Sequence, residues 1–181
     1  MAGIVVAIDG PSGSGKSSTS KAIAIRANWN YLDTGALYRA ATWIALNAGV
    51  TEGWEVIAAI KKSPIVFSAN PKDPKIFCGE TEVTDEIRGA RITDNVSQIS
   101  QIAELRAYLV DMQQTIIANS DNGIVVEGRD IGTVVAPDAD LKVFLYADLQ
   151  ARTVRREAEE INADKPADVA QSLSSRDLLD S

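Results

Sequence analysis

The sequence predicts an α/β fold of the P-loop NTPase type, in which a parallel sheet is flanked by helices. Two observations support this prediction. Apolar runs rich in β-branched residues alternate with helical patterns along most of the 181 residues. In addition, residues 10–17 read G-P-S-G-S-G-K-S, a complete G-x-x-x-x-G-K-[ST] motif between the first apolar run and the first helical pattern.

The individual elements follow from hydrophobic periodicity. The strand-like runs of the core lie at residues 4–9, 31–33, 123–127 and 141–146. The helical patterns lie at residues 17–27, 36–47, 104–119, 149–161 and 167–180. Because strands and helices follow one another in turn, we expect the strands to run parallel.

The region from residue 62 to residue 91 interrupts this alternation. After a short helical pattern at residues 54–61, two strand-like runs at 65–68 and 75–78 flank the turn sequence N-P-K-D-P. We interpret residues 62–91 as a small β-rich insert mounted on the α/β body. The remaining residues, 1–61 and 92–181, then form the core.

Composition excludes several classes of function. The net charge of −7 argues against a sequence-independent nucleic-acid binder, which needs a basic surface. The absence of histidine excludes Ser-His hydrolysis and histidine-based zinc sites. The single cysteine fits a reducing compartment, and we find neither a signal peptide nor an apolar run long enough to span a membrane. We therefore expect a cytoplasmic protein that contacts no membrane, and we expect a monomer.

The glycine-rich motif predicts binding of a nucleoside triphosphate with Mg²⁺. Its backbone N–H groups can surround phosphate oxygens, and the following helix N-terminus favours negative charge. Lys16 would reach the β- and γ-phosphates, and the Ser17 hydroxyl would ligate Mg²⁺. The predicted nucleotide-binding residues are Gly10, Pro11, Ser12, Gly13, Ser14, Gly15, Lys16, Ser17 and Ser18.

A second group of polar residues follows the second strand. Asp33 ends this strand, where its carboxylate can hold a water on Mg²⁺ or fix the start of the next helix. Thr34 is expected to be the N-cap of that helix, and Gly35 permits a tight turn. Arg39 lies one turn into the helix, where it can point back to the same cleft or remain solvated.

A third group follows the strand at residues 123–127. Gly128, Arg129 and Asp130 come directly after it, at the edge where open α/β sheets bind ligands. Arg129 can bind a phosphate with two hydrogen bonds. Asp130 can hold that arginine, accept a hydrogen bond from an exocyclic amine such as cytosine N4, or form a surface ion pair.

The C-terminal part carries further arginines. Arg152, Arg155 and Arg156 share one helical face, and a loop follows near residue 164, so this segment could form a lid or an ion-paired solvated helix. Arg176 and Asp180 are spaced i and i+4. They could pair with each other or together contact a ribose and a phosphate.

Taken together, these motifs resemble those of the bacterial cytidylate kinases. The specific stretches are L-D-T-G-A-L-Y-R at residues 32–39, G-R-D-I-G-T-V-V at 128–135 and R-D-L-L-D-S at 176–181. The resemblance implies phosphate transfer from ATP, with Mg²⁺, to CMP and dCMP in pyrimidine nucleotide metabolism. It also implies a helical lid at about residues 150–167 that closes over ATP. Since family members continue with a further strand and helix, we expect this chain to lack both.

The resemblance also assigns roles to individual residues. The implied catalytic residues are Lys16, Arg39, Arg129, Arg152, Arg155 and Arg156. The implied substrate-binding residues are Thr34, Arg39, Ser97, Arg106, Gly128, Arg129, Asp130, Arg176 and Asp180. Ser97 and Arg106 rest on the resemblance alone, because their sequence pattern indicates only a helix surface. For the metal, Ser17 would be a direct ligand and Asp33 would act through water.

Two other classes of function share the glycine-rich motif. One is a kinase of another small metabolite, of the shikimate, gluconate or dephospho-coenzyme A type, which would differ in its acceptor site. The other is a non-catalytic nucleotide-binding module. A guanine-reading N-K-x-D sequence is absent, which argues against a GTPase-like switch.

Overall fold

The computed structural model describes residues 3–150 and residue 152. In this part of the chain, seven strands and five α-helices follow one another. In chain order they are β1 (Val5–Asp9), α1 (Lys16–Ala27), β2 (Asn30–Asp33), α2 (Thr34–Ala48), α3 (Gly53–Lys62), β3 (Ile65–Phe67), β4 (Ile76–Cys78), β5 (Thr81–Glu82), α4 (Ala90–Ile99), α5 (Ala103–Ala118), β6 (Ile124–Gly128) and β7 (Leu141–Phe144). A 3₁₀ turn at Glu86–Arg88 precedes α4, and a π-helical turn at Ile131–Val135 follows β6.

The central sheet is parallel, as the alternation of strands and helices predicts. Its strand order is β2–β6–β1–β7, and every neighbouring pair runs in the same direction. The inner strands β1 and β6 are covered on both faces, so that Ala7 and Val126 are fully buried. The α/β fold class with a parallel sheet flanked by helices is therefore confirmed.

Helix α2 packs closely because its inner face is rich in alanine. Ala40, Ala41 and Ala45 have no exposed surface, and small side chains allow the helix to approach its neighbours α3, α4 and β6. Leu37 on the same face is fully buried, which contributes roughly 1.5–3 kcal/mol of transfer free energy. This helix begins at the carboxyl edge of the sheet, and its packing fixes the position of that edge.

A second, antiparallel sheet of order β3–β4–β5 lies within the segment predicted to be β-rich. Its side chains Ile65, Ile76 and Cys78 belong to the same hydrophobic core as Leu37 and Val126. The two sheets thus share one core. Strand β5, helix α4 and the π-helical turn were not predicted. Each predicted element that lies in the described part of the chain begins and ends within two residues of its expected bounds.

Two further observations concern membranes and the C-terminal segment. Among the described residues, no helix combines the length and the apolar character needed to cross a bilayer. The predicted helix at residues 149–161 enters the described part only at its first residues, and the predicted helix at 167–180 lies outside it, as does most of the expected lid at 150–167.

Candidate functional site

The carboxyl ends of three neighbouring strands bring acidic residues to one edge of the sheet. Asp9 ends β1 opposite Gly128, and Asp33 ends β2 opposite Glu127. Because parallel strands present their carboxyl ends at the same edge, the loops that follow them converge there. The glycine-rich motif, the start of α2 and the segment after β6 therefore surround a common site.

The glycine-rich motif forms the turn between β1 and α1, as predicted. A Cβ atom on Gly10 would lie 2.2 Å from the Leu145 carbonyl oxygen, so only glycine fits at this position. Gly15 caps α1 with φ of 94°, in the left-handed region that favours glycine. The Ser18 hydroxyl donates back to the Gly15 carbonyl at 2.9 Å. All nine residues predicted to bind nucleotide thus lie in this turn or in the first turn of α1.

Lys16 lies inside this turn, among charges of both signs. Its ammonium donates to the carbonyls of Gly10 and Pro11 at 2.7 and 2.8 Å. Burial and, to a smaller extent, the nearby positive charge of Arg129 lower the pKa of Lys16 to about 8, although the carboxylates of Glu127 and Asp33 act to raise it. Two cations held close together in a partly buried site favour an anion between them.

Glu127 is a buried carboxylate that the sequence analysis did not select. It is 3% exposed and accepts hydrogen bonds from the Ser17 hydroxyl at 3.0 Å and from the Tyr31 phenol. Burial, with a smaller contribution from the Asp33 charge, raises the pKa of Glu127 to about 7. The signal in the sequence is a charged residue directly after three apolar residues of a buried strand. From the sequence alone, Glu127 is only the last residue of that strand.

Asp33 is engaged in structural contacts. Its carboxylate accepts from the Ala36 N–H at 3.0 Å, which makes Asp33 the N-cap of α2, and it pairs with Arg88 at 3.2 Å. The prediction that Thr34 is the N-cap is therefore wrong. Thr34 is the first helical residue, and its buried hydroxyl donates to the Glu127 carbonyl at 2.7 Å. Asp33 accepts the N–H three residues ahead, as an N-cap does, whereas the Thr34 hydroxyl is turned to the Glu127 carbonyl.

Asp9, which was not among the predicted site residues, organises the loop after β6. Its two carboxylate oxygens accept from the Ile131 and Gly132 N–H groups, both at 2.8 Å. The turn that carries Arg129 and Asp130 is thereby tied to the end of β1, beside the glycine-rich motif. Two charge-assisted hydrogen bonds to one carboxylate hold this turn firmly, because such bonds are stronger than those between neutral groups.

Two of the residues predicted to bind the monophosphate, Arg106 and Asp130, lie together near Tyr38. Arg106 on α5 forms an ion pair with Asp130, so Asp130 pairs with this arginine, which is distant in sequence. Tyr38 on α2 lies near both charges, and burial raises its pKa. Gly128 has no room for a side chain, because a Cβ would lie 2.5 Å from the Thr34 Oγ1 atom. Arg129, directly before Asp130 in the chain, is half-buried and near enough to Lys16 to lower the pKa of that lysine.

Arg39 and Ser97 lie on α2 and α4, two helices that pack against each other. Arg39 donates to the Ile87 carbonyl at 3.1 Å and to the Thr93 hydroxyl at 2.8 Å, which ties it to the 3₁₀ turn before α4 and to the first turn of α4. Ser97 is half-buried on α4. In the described part of the chain, no hydrogen bond or ion pair joins Ser97 to the Arg106–Asp130 pair.

The predicted lid arginines are described only at Arg152. This side chain is 7% exposed and donates from Nη1 to the Ser12 carbonyl at 3.2 Å, so it lies against the glycine-rich turn. The other predicted residues of the C-terminal segment lie outside the described residues, and they are Arg155, Arg156, Arg176 and Asp180.

Comparisons with known proteins agree on one family. A family model described as cytidylate kinase matches residues 6–181. The cytidylate kinase of Streptomyces avermitilis is 45% identical over 180 residues, covering 98% of this chain and 78% of the relative. That of Streptococcus thermophilus is 43% identical over 187 residues, covering 100% of this chain and 82% of the relative. A solved structure of shikimate kinase from Acinetobacter baumannii in complex with shikimate is 14% identical, and the match covers 98% of this chain and 78% of that chain at a TM-score of 0.43.

Proposed function

The chain belongs to the cytidylate kinase family, and from this premise we propose that it transfers the γ-phosphate of ATP to CMP and dCMP, giving CDP and dCDP. It is an ATP-dependent phosphotransferase with small nucleotide substrates. The observation that carries the proposal is the position of Arg129, which is near enough to Lys16 of the glycine-rich turn to lower the pKa of that lysine and which directly precedes Asp130, the ion-pair partner of Arg106. From this position we infer that one arginine can neutralise charge on both reacting phosphates.

The reaction needs no general base on the protein. The second pKa of a phosphate monoester is about 6, so the attacking oxygen is already largely ionised at pH 7. The remaining barrier is the repulsion between two anions and the cost of aligning them. Lys16, Arg39, Arg129 and Arg152 would supply positive charge around the transferred group, and Arg155 and Arg156 would add to it from the lid.

Oxygen ligands at the start of α1 fit Mg²⁺. Magnesium prefers oxygen donors and is commonly held by one or two carboxylates together with substrate phosphates. Ser17 and Glu127 provide a hydroxyl and a carboxylate 3.0 Å apart. Asp33 would not be a direct ligand of the metal. Its carboxylate caps α2 and pairs with Arg88, so it would contact the metal through a water. When bound, the metal neutralises phosphate charge and orients the γ-phosphate.

Recognition of the cytosine base is assigned to Asp130. A carboxylate accepts a hydrogen bond from the exocyclic amine of cytosine, whereas uracil presents a carbonyl oxygen at that position. Arg106 would hold the Asp130 carboxylate in place through their ion pair. Thr34 and Ser97, together with Arg176 and Asp180 of the C-terminal segment, would contact the remainder of the monophosphate.

A phosphate-transfer assay over a panel of acceptors tests the function. We expect ATP- and Mg²⁺-dependent turnover with CMP and dCMP, weaker turnover with UMP, and none with shikimate or gluconate. Asp130→Asn should reduce the preference for CMP over UMP about 10-fold or more, because the acceptor loses its charge and its ion pair. Preferential turnover of a non-nucleotide acceptor would overturn the proposal.

Two further expectations accompany this function. We propose that the enzyme acts as a monomer in the cytoplasm, where the single cysteine, which is buried, would remain reduced. Sedimentation of the purified protein with and without nucleotide measures the first expectation.

A further inference from the structure

Tyr31 forms a buried hydrogen bond with the carboxylate that faces the start of α1. Its phenol donates to Glu127 Oε1. Both side chains are almost fully buried, with 2% of Tyr31 and 3% of Glu127 exposed. A buried carboxylate with two fixed partners is restricted to one orientation, because leaving either partner would cost a charge-assisted hydrogen bond in a site of low dielectric.

The strand register explains why a tyrosine is needed at this position. Tyr31 lies opposite Val125 in the β2–β6 pairing, and Glu127 is two residues further along β6 on the same face. This advance is roughly 6.6 Å along the strand. Only a long side chain with a polar end can extend along the sheet from Tyr31 to the carboxylate.

The phenol acts as the donor in this contact, because a carboxylate oxygen can only accept. The Tyr31 hydroxyl therefore engages Oε1. The second oxygen, Oε2, is then left to accept from Ser17 at 3.0 Å.

We propose that Tyr31 is a positioning residue of the nucleotide site, which holds Glu127 so that Oε2 faces Ser17 and the place of the metal. This inference rests on the proposed function, in which Ser17 and Glu127 lie on the metal side of the bound nucleotide. Tyr31 itself touches neither nucleotide nor metal. It acts through the orientation of one carboxylate, in the way that outer-shell partners orient the ligands of a metal.

The competing explanation is that Tyr31 only fills the core. Its ring packs in a small cluster with Val6, Ile8, Ala24 and Val125, between the sheet and α1. A packing role depends on the ring and not on the hydroxyl. Tyr31→Phe keeps the ring and removes the hydroxyl, so it separates the two explanations.

Calorimetric titration with ADP, with Mg²⁺ and with EDTA in its place, is the experiment. The proteins are the wild type, Tyr31→Phe, Glu127→Gln, the double variant, and Tyr108→Phe as a matched control. Tyr108 is half-buried on α5 and packs against the main core. We expect Tyr31→Phe to weaken ADP binding about 10- to 100-fold in Mg²⁺ and to leave binding in EDTA unchanged. In the Glu127→Gln background, Tyr31→Phe should add little, since the two residues act through one path.

The results that overturn the inference are distinct from those that overturn the function. Unchanged Mg²⁺-dependent binding in Tyr31→Phe, or equal loss with Mg²⁺ and with EDTA, would leave Tyr31 as a packing residue. If the wild type does not phosphorylate CMP, the proposed function is refuted, and the binding experiment with ADP can still be performed. Should Tyr31→Phe fold poorly, the ¹⁹F resonance of 3-fluorotyrosine at this position in the otherwise unchanged protein must shift when Mg²⁺ is added to the ADP complex. A resonance that does not move contradicts the inference.

Discussion

Replacing Glu127 by glutamine should stabilise the ligand-free protein while it impairs catalysis. In the folded protein, burial raises the pKa of Glu127 from its ordinary value of 4.5 to about 7. Each pKa unit corresponds to 1.36 kcal/mol, so the buried ionised form costs about 3 kcal/mol relative to the unfolded chain. Glutamine has the same shape and keeps an oxygen that can accept from Tyr31, but it carries no charge.

The pH dependence follows from the direction of this shift. Between pH 4.5 and about 7 the folded protein binds more protons than the unfolded chain, so its free energy of unfolding falls as the pH rises. The contribution is fully present below pH 4.5 and is lost once the pH passes about 7. Since the chain has no histidine, few other groups titrate in this window. Lys16, whose pKa is about 8, gives a constant term below pH 7.

Urea unfolding of the ligand-free protein, followed by circular dichroism at half-unit intervals from pH 5 to pH 7.5, measures the effect. The wild type should lose a large part of the 3 kcal/mol across this range, whereas Glu127→Gln should give a nearly flat profile and a higher stability at pH 7.5. Glu80→Gln, at an exposed position after β4, is the matched control and should keep the wild-type slope. A wild-type profile without slope, or an unchanged slope in Glu127→Gln, would refute the reasoning.

Three other predictions concern single side chains. Lys16→Ala should lower kcat about 100-fold or more in a steady-state assay, because the charge that develops in a site without water loses its partner. In the same assay, the exposed Lys62→Ala should leave kcat unchanged. Arg129→Ala should weaken CMP binding by roughly 1.5–3 kcal/mol, whereas the exposed Arg26→Ala should not. Titration of both variants with CMP measures this, and equal affinities would contradict it. Cys78 should react slowly with a thiol reagent in the folded state and rapidly in urea, because burial raises its pKa to about 12 and covers the sulfur.

The fold could be predicted from the sequence because its dominant signals are local. Strands β1 and β6 are continuous apolar runs, as expected when both faces are covered. The glycine-rich motif has its own spacing and lies between a strand and a helix. Each of these depends on neighbouring residues only, so no knowledge of the tertiary structure was needed.

The site was predicted less completely because its contacts join residues far apart in sequence. Glu127 contacts Ser17 across 110 positions, and Asp9 contacts the turn at Ile131 across 122. Asp130 had a sequence neighbour as an obvious ion-pair partner, yet it pairs with Arg106 from another helix. Side-chain partners of this kind depend on strand order and register, which a pattern of apolar residues does not specify.

The 3₁₀ turn at Glu86–Arg88 and the first turn of α4 help to hold an arginine of the proposed acceptor site. Arg39 is held by the Ile87 carbonyl and the Thr93 hydroxyl, and Arg88 pairs with the carboxylate that caps α2. Two hydrogen bonds from Arg39 and one ion pair to Asp33 thus join residues 87–93 to the start of α2. Ile87 also belongs to the core that the two sheets share, and a shift of this segment would break the bonds to Arg39. The orientation of the arginine proposed to bind the acceptor phosphate therefore depends on the 3₁₀ turn and the first turn of α4 as well as on α2.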